Sequence, residues 1–308
     1  MYSRYGLVVH RLTRDRHGRD SKLSIWRLPE GEEATSPTVL PIEDATRERK
    51  TPELLTSLMV NTLNFCSFTV GPKSDTGTLV AYPGVHDGQV IVTSLPSEER
   101  VATVPPPKDV KTGMVMAIRL TYVENQLKVL VGYESGHACV WQRNKSSDYW
   151  ERTYTYKAHS QPILSLDVAP TLNSFWTSSA DAILARHPLV EGTSETKMVQ
   201  TRHAGQQAVT VRSDEKIFAT AGWDGRVRVY SAKAMKELAV LKWHKEGCYA
   251  LAFADLMVGS TSHQDSEAEG AVVRRELTVS EQRTQKAKST HWLAAGSKDG
   301  KISMWDIY

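Results

Sequence analysis

KDGKISMW at 298–305 repeats in kind at 223–230 as WDGRVRVY. Both read x-Asp-Gly-basic-apolar-x-apolar-aromatic. Asp-Gly between two alternating runs signals a hairpin, because glycine enters positive φ without the steric cost of a Cβ. The following residues alternate with period two, Ile302 and Met304 against Lys301 and Ser303, which is the pattern of a strand. The preceding runs, IFATAG (217–222) and WLAAGS (292–297), are short, apolar and rich in small residues. With LKVLVG (127–132) they predict strands buried on both faces.

The same frame recurs along the chain. It appears as DSKLSIW (20–26), HDGQVIVT (86–93) and ESGHACVW (134–141), and more weakly as ADAILARH (180–187). The turns therefore fall at Asp20, at Asp87 with Gly88, at Ser135 with Gly136, at Asp181, at Asp224 with Gly225, and at Asp299 with Gly300. The middle four stand about 45 residues apart, close to the period of a four-stranded propeller blade. The first and last intervals are longer and need insertions. A polar, Pro-containing stretch at 29–53 supplies one. Residues 259–290 supply the other, and their polar, acidic-then-basic composition predicts a disordered surface loop. Within it, only 271–273 and 277–279 offer local structure. Inner strands are expected at 61–69, 113–121, 162–168, 206–212 and 248–254. Outer strands are expected at 100–104, 150–156, 196–201 and 237–242. VPPPK (104–108) marks a passage between units, since each Pro removes a ladder donor. The expectation is an all-β WD40-type β-propeller, one domain over 1–308 with six recognisable blade units.

Other chemistries fit poorly. His17-Gly18-Arg19-Asp20 has the letters of a kinase catalytic loop, but Ile25 stands where a magnesium-binding Asn is needed, and there is no Asp-Phe-Gly. Asp20 reads instead as a turn residue. Hydrophobic residues make up 40% and charged residues 24%, with a net charge of +3. That balance gives no reason to expect direct nucleic-acid binding. Cys66, Cys139 and Cys248 are odd in number and far apart, which speaks against a disulfide framework or a zinc site. No apolar run reaches membrane-spanning length. No cofactor, metal or small-molecule substrate is implied, and a soluble protein of nucleus or cytoplasm is expected.

The repeats resemble the WD-repeat β-propeller family. Members carry a hydrogen-bonded tetrad in each blade: a His before the inner strand, a Ser and an Asp around the second turn, and a Trp ending the third strand. The resemblance places all four in the last unit, at His244, Ser297, Asp299 and Trp305. The unit before keeps His203 and Asp224, with Tyr230 for Trp and Gly222 for Ser. The fourth keeps His159, Ser179 and Asp181, with His187 for Trp. Thr93 replaces the aromatic in the second, while Trp26 and Trp141 survive. Ser, His and Asp together invite a hydrolase reading, but the trio recurs at the same hairpin position and no Gly-x-Ser-x-Gly elbow exists. Repetition makes the role structural and the protein non-catalytic.

Three stretches carry a narrower likeness: HGRDSKLSIWRL (17–28), VNTLNFCSF (60–68) and WLAAGSKDGKISMWDIY (292–308). They are similar to the ASTRA-associated WD-repeat proteins of fungi and their animal G-protein-β-like relative. The likeness implies an adaptor of the ASTRA assembly. It would work with the Tel–Tti cochaperone complex in maturing phosphatidylinositol-3-kinase-related kinases and in chromatin-linked regulation. It also implies seven blades where six are recognisable, with the N-terminal one missing or incomplete. Tyr5–His10 then either fills the open edge of the last blade or leaves it open. Trp150, Trp223 and Trp243, near strand ends, are candidate partner contacts. The alternatives are a histone or phosphopeptide reader and a ubiquitin-ligase substrate receptor. The receptor class carries Trp-Asp-x-Arg after the third strand, which neither Trp141-Gln142-Arg143 nor Trp26-Arg27 matches.

Overall fold

A computed structural model describes residues 7–9, 22–27, 53–61, 66, 68–74, 77–144, 149–190, 195–254, 256 and 278–307. It divides into two compact units, 1–163 and 164–308. Every sheet is an antiparallel meander whose strands pair in chain order.

The first unit holds three sheets. β1 (Leu7–Val9), β2 (Lys22–Arg27) and β3 (Glu53–Met59) form the first. β4 (Thr69–Ser74), β5 (Gly77–Pro83), β6 (Val90–Leu95) and β7 (Arg100–Val104) form the second. β8 (Val115–Val123), β9 (Gln126–Tyr133), β10 (His137–Arg143) and β11 (Trp150–Lys157) form the third. Apolar side chains fill the spaces between neighbouring sheets. Leu23, Ile25 and Leu58 of the first meet Val80, Tyr82 and Ile91 of the second. Val90, Val92 and Val104 meet Ile118, Val129 and Trp141 of the third. Packing on two sides explains why central strands such as β9 are apolar almost throughout rather than alternating.

The second unit repeats the plan. β12 (Ile163–Val168), β13 (Ser174–Ser179), β14 (Ile183–Pro188) and β15 (Lys197–Gln200) make the fourth sheet. β16 (Gln206–Val211), β17 (Ile217–Gly222), β18 (Arg226–Ser231) and β19 (Glu237–Lys242) make the fifth. β20 (Cys248–Phe253), β21 (Trp292–Ser297) and β22 (Ile302–Asp306) make the sixth. Trp176 and Leu184 pack on Phe218 and Tyr230 between the fourth and fifth. Ala219, Ala221 and Val229 pack on Cys248, Leu293 and Ala295 between the fifth and sixth.

Three expectations change. The inner strand of the second sheet is Thr69–Ser74 rather than 61–69. Ahead of it, Asn61 Nδ2 donates to the Gly84 carbonyl, in the turn after β5, at 2.8 Å. Gly71 and Pro72 disguise the strand in the sequence. The register shifts between Val70 and Lys73, so Pro72 sits at an irregularity where its missing N–H is tolerated. A Cβ on Gly71 would stand 3.3 Å from the Leu120 side chain, so the glycine admits a close approach of β4 to β8.

The expected loop at 259–290 ends in a helix, α1 (Val279–Ser289). Its sequence is polar, but Glu, Gln, Arg, Lys and Ala are strong helix formers. Thr278 and Glu281 close a capping box, Glu281 N–H donating to Thr278 Oγ1 at 3.3 Å and Thr278 N–H to Glu281 Oε2 at 2.8 Å. A helix without an apolar stripe escapes periodicity reading. The insertion at 29–53 lies outside the described residues apart from Glu53, the first residue of β3.

Of Tyr5–His10, the described residues Leu7–Val9 pair with β2 in the first sheet, Val9 opposite Ile25. Among the described residues no strand lies beyond β22. Strand β21, expected to be buried on both faces, buries only Leu293 and Ala295. On the other face Ile302 and Met304 of β22 are exposed.

Candidate interaction site

The turns between second and third strands share one construction. Gly136 N–H donates to the Tyr133 carbonyl, Gly225 N–H to Gly222 and Gly300 N–H to Ser297, each at 3.1 Å. The three glycines have φ of 83°, 74° and 75°, which other residues adopt only with strain. The Asp one place earlier folds back onto the chain. Asp224 Oδ1 accepts from Arg226 N–H at 3.2 Å and Asp299 Oδ1 from Lys301 N–H at 3.0 Å. Asp181 does the same with Ile183 N–H at 2.9 Å, with Ala182 in the glycine place. The turn at Asp87 and Gly88 is wider, closed by Gly84 N–H to the Gln89 carbonyl at 2.8 Å, with Gln89 N–H donating to the His86 carbonyl at 3.1 Å inside it. Gly88 has φ of 73°. Asp20 lies outside the described residues.

In the sixth sheet His244 is buried and held at both ring nitrogens. Nδ1 lies 3.2 Å from Asp299 Oδ2, and Nε2 lies 2.6 Å from Ser303 Oγ. Ser297 is placed elsewhere. Its hydroxyl donates to the carbonyls of Glu246 and Gly247, each at 3.1 Å, and accepts from Asp299 N–H at 3.4 Å. Trp305 stands edge-on to His244 with centroids 6.3 Å apart. Asp299, His244 and Ser303 are thus in the order of a charge-relay triad. Ser303, however, is buried on β22 opposite Ala295, which packs toward the fifth sheet. A nucleophile needs substrate access, and a hydroxyl enclosed between sheets is a tether.

The fifth sheet solves the same problem differently. Asp224 pairs with Arg228, Nη2 to Oδ2 at 2.6 Å and Nη1 to Oδ1 at 3.2 Å. Arg228 is among the largest fully buried side chains. Burial pushes the Asp224 carboxyl up, but the Arg228 hydrogen bond and charge outweigh it, and its pKa lies below the ordinary carboxylate value. Gln206 stands beside them, accepting from Thr220 Oγ1 at 2.6 Å and donating to the His203 carbonyl at 3.0 Å. His203 is only half-buried. Tyr230 takes the aromatic place and stacks on Phe218, centroids 5.1 Å apart. Burial pushes its hydroxyl up to about 12. Arg228, Gln206, Thr220 and Ser303 were not read from the sequence. Arg228 sits between Val227 and Val229, where alternation alone would send it to solvent.

In the fourth sheet His159, Ser179 and His187 are buried. His187 stacks on Phe175, centroids 4.7 Å apart, with Nε2 2.9 Å from Thr177 Oγ1. Ser179 Oγ accepts from Asp181 N–H at 3.2 Å. In the second sheet Thr93 takes the aromatic place, and its hydroxyl meets the Tyr82 hydroxyl at 3.0 Å. Trp141 is buried between the second and third sheets.

Of the three candidate contact tryptophans, Trp150 belongs to the core between the second and third sheets, because β11 turns it inward. Trp223 and Trp243 are exposed. Burial raises the Cys139 thiol and pushes Cys248 up to about 11, which keeps both protonated and unreactive. Among the described residues no group of three or more His, Cys, Asp or Glu could hold a metal ion, and no helix is long and apolar enough to cross a membrane.

Consecutive antiparallel meanders of three or four strands, turning between second and third strands on Asp-Gly or the near variants Ser135-Gly136 and Asp181-Ala182, define a WD40-type β-propeller protein. The family model of the WD domain, G-beta repeat, matches residues 196–231 and 287–306. ASTRA-associated protein 1 of Aspergillus niger is 42% identical over 95% of this chain and 80% of its own length. The protein of that name in Verticillium alfalfae is 45% identical over 95% and 76%. The mouse guanine nucleotide-binding protein subunit beta-like protein 1 is 29% identical over 94% and 73%. The chain belongs to the ASTRA-associated protein 1 family of WD-repeat proteins.

Proposed function

We propose that the chain is a non-catalytic WD-repeat adaptor of the ASTRA assembly. It works with the Tel–Tti cochaperone complex in maturing phosphatidylinositol-3-kinase-related kinases and in chromatin-linked regulation, in the nucleus or cytoplasm. The observation that carries this reading is the likeness, over 95% of the chain, to relatives named ASTRA-associated protein 1. The polar clusters agree with it, since His244, Asp299 and Ser303 hold a loop to a turn, as do Asp224 and Arg228 within their own hairpin. Affinity purification of the tagged protein from its own cells, followed by mass spectrometry, tests the reading. Stoichiometric Tel–Tti subunits and large kinases are expected. Cullin adaptors would move it to the ligase receptors, and histones to the readers.

A further inference from the structure

Trp223 and Trp243 leave 46% and 56% of their surfaces open, yet both are pinned. Trp223 Nε1 donates to Gln207 Oε1 at 2.8 Å, and its ring lies over Gly205, where a Cβ would stand 2.2 Å from Cε3. Trp243 sits edge-on to His244, centroids 4.8 Å apart. Lys301 Nζ lies 5.6 Å from the Trp243 ring centre. An indole fixed on one side and wet on the other is pre-ordered for a contact, which lowers the entropic cost of binding.

Both rings stand at one end of the fifth and sixth sheets. Trp223 opens the turn 223–225, and Trp243 opens the loop 243–247. That loop is fastened to both turns. Lys298 N–H donates to the Gly247 carbonyl at 2.9 Å, and Gly225 packs so closely that a Cβ would meet the His244 carbonyl oxygen at 2.9 Å. The surrounding charge is one-sided. Arg226, Lys242, Lys245, Lys298 and Lys301 are all exposed. Arg226 faces Lys242 directly across β18 and β19, and like charges so placed repel. On the acidic side, Asp224 is held by Arg228 and Asp299 by His244. Glu246 is the exposed acid of the loop.

We propose that this end of the fifth and sixth sheets docks an acidic linear peptide carrying one aromatic residue. The aromatic residue rests on Trp243, and the carboxylates meet Lys301, Lys242 and Arg226. The inference rests on the adaptor reading and gives the partner its chemistry.

The test uses the full chain and fluorescein-labelled peptides. The probe is Asp-Glu-Asp-Phe-Asp-Glu-Asp, compared with a version carrying Ser for Phe and one carrying Lys for every acid. Only the first is expected to bind, with a micromolar Kd seen by anisotropy and weakened by added salt. Trp243→Ala and the pair Lys242→Glu with Lys301→Glu should each raise Kd tenfold or more. The charge-reversed pair lies on the surface, so far-UV circular dichroism unchanged from wild type shows that its loss is not unfolding. No binding by wild type, equal binding of the Lys peptide, or undiminished binding by either variant overturns the docking surface. Affinity purification with the charge-reversed pair separates the two readings. Partners captured equally by wild type and variant end the docking surface and leave the adaptor standing. If wild type captures no assembly subunit, the adaptor reading falls and the peptide titration decides the docking alone.

Discussion

His244 and Ser303 stand 2.6 Å apart, Nε2 to Oγ, although 59 residues separate them. This contact fastens the loop after β19 to the last strand. Ser303→Ala leaves a buried ring nitrogen without its partner and should cost about 1–3 kcal/mol in urea unfolding. A double-mutant cycle should find stronger coupling between His244 and Ser303, which touch, than between His244 and Ser297, which meet only through Asp299. Stronger coupling to Ser297 instead would restore the arrangement expected from the family pattern.

Arg228 is fully buried beside an Asp224 that is 37% exposed. Asp224→Ala should destabilise by about 2–3 kcal/mol, less than a fully enclosed pair because water reaches the carboxylate. Arg228→Met in the same chain should recover most of the loss, since it removes a buried charge left with only the half-exposed Glu237, at 3.6 Å, and still fills the space. Thermal unfolding of the single and double variants checks this. A double variant weaker than the single would overturn it.

The turn glycines should not be equivalent. Gly300→Ala meets nothing within 4 Å and should cost only the left-handed backbone penalty, about 1–2 kcal/mol. Gly136→Ala would place a Cβ 2.1 Å from the His159 carbonyl oxygen, and Gly225→Ala 2.8 Å from that of Glu246. Both should cost clearly more. Urea titration of the three gives the order directly.

Stability should fall in acid. The Arg212 guanidinium beside Asp214 holds its carboxyl below the ordinary range. At Asp299, burial pushes upward but is outweighed by the Lys301 N–H and by His244. Asp224 is also lowered. A depressed carboxyl is stabilising above its unfolded pKa of about 3.9 and loses that contribution as pH drops through the lower folded value. The melting temperature should therefore be level on this account between about pH 5 and 7 and fall below about pH 4. Asn at all three positions should flatten the fall.

Strands were legible where turn and alternation agreed. IFATAG and WLAAGS fall on β17 and β21 residue for residue, because Asp-Gly fixes where each must end. β4 was not legible, since Gly71 and Pro72 suit a bulge that only its pairing with β5 reveals. The polar pairings were half legible. Asp299 with His244 follows the repeat, whereas Arg228 displaces the expected histidine because Asp224 needs only a buried donor within reach.

The neck of the last insertion has a practical consequence. Ala254 N–H donates to the Trp292 carbonyl at 2.8 Å, and Trp292 Nε1 donates to the Ala287 carbonyl at 3.1 Å. The two ends are thus clasped before the intervening chain has any say. Lengthening a closed loop costs only about 0.6 kcal/mol per doubling. A fluorescent or enzymatic passenger grafted between 257 and 277 should ride on the protein without disturbing the sheet beneath it. That makes the corner a port for tagging the protein without touching Trp223 or Trp243.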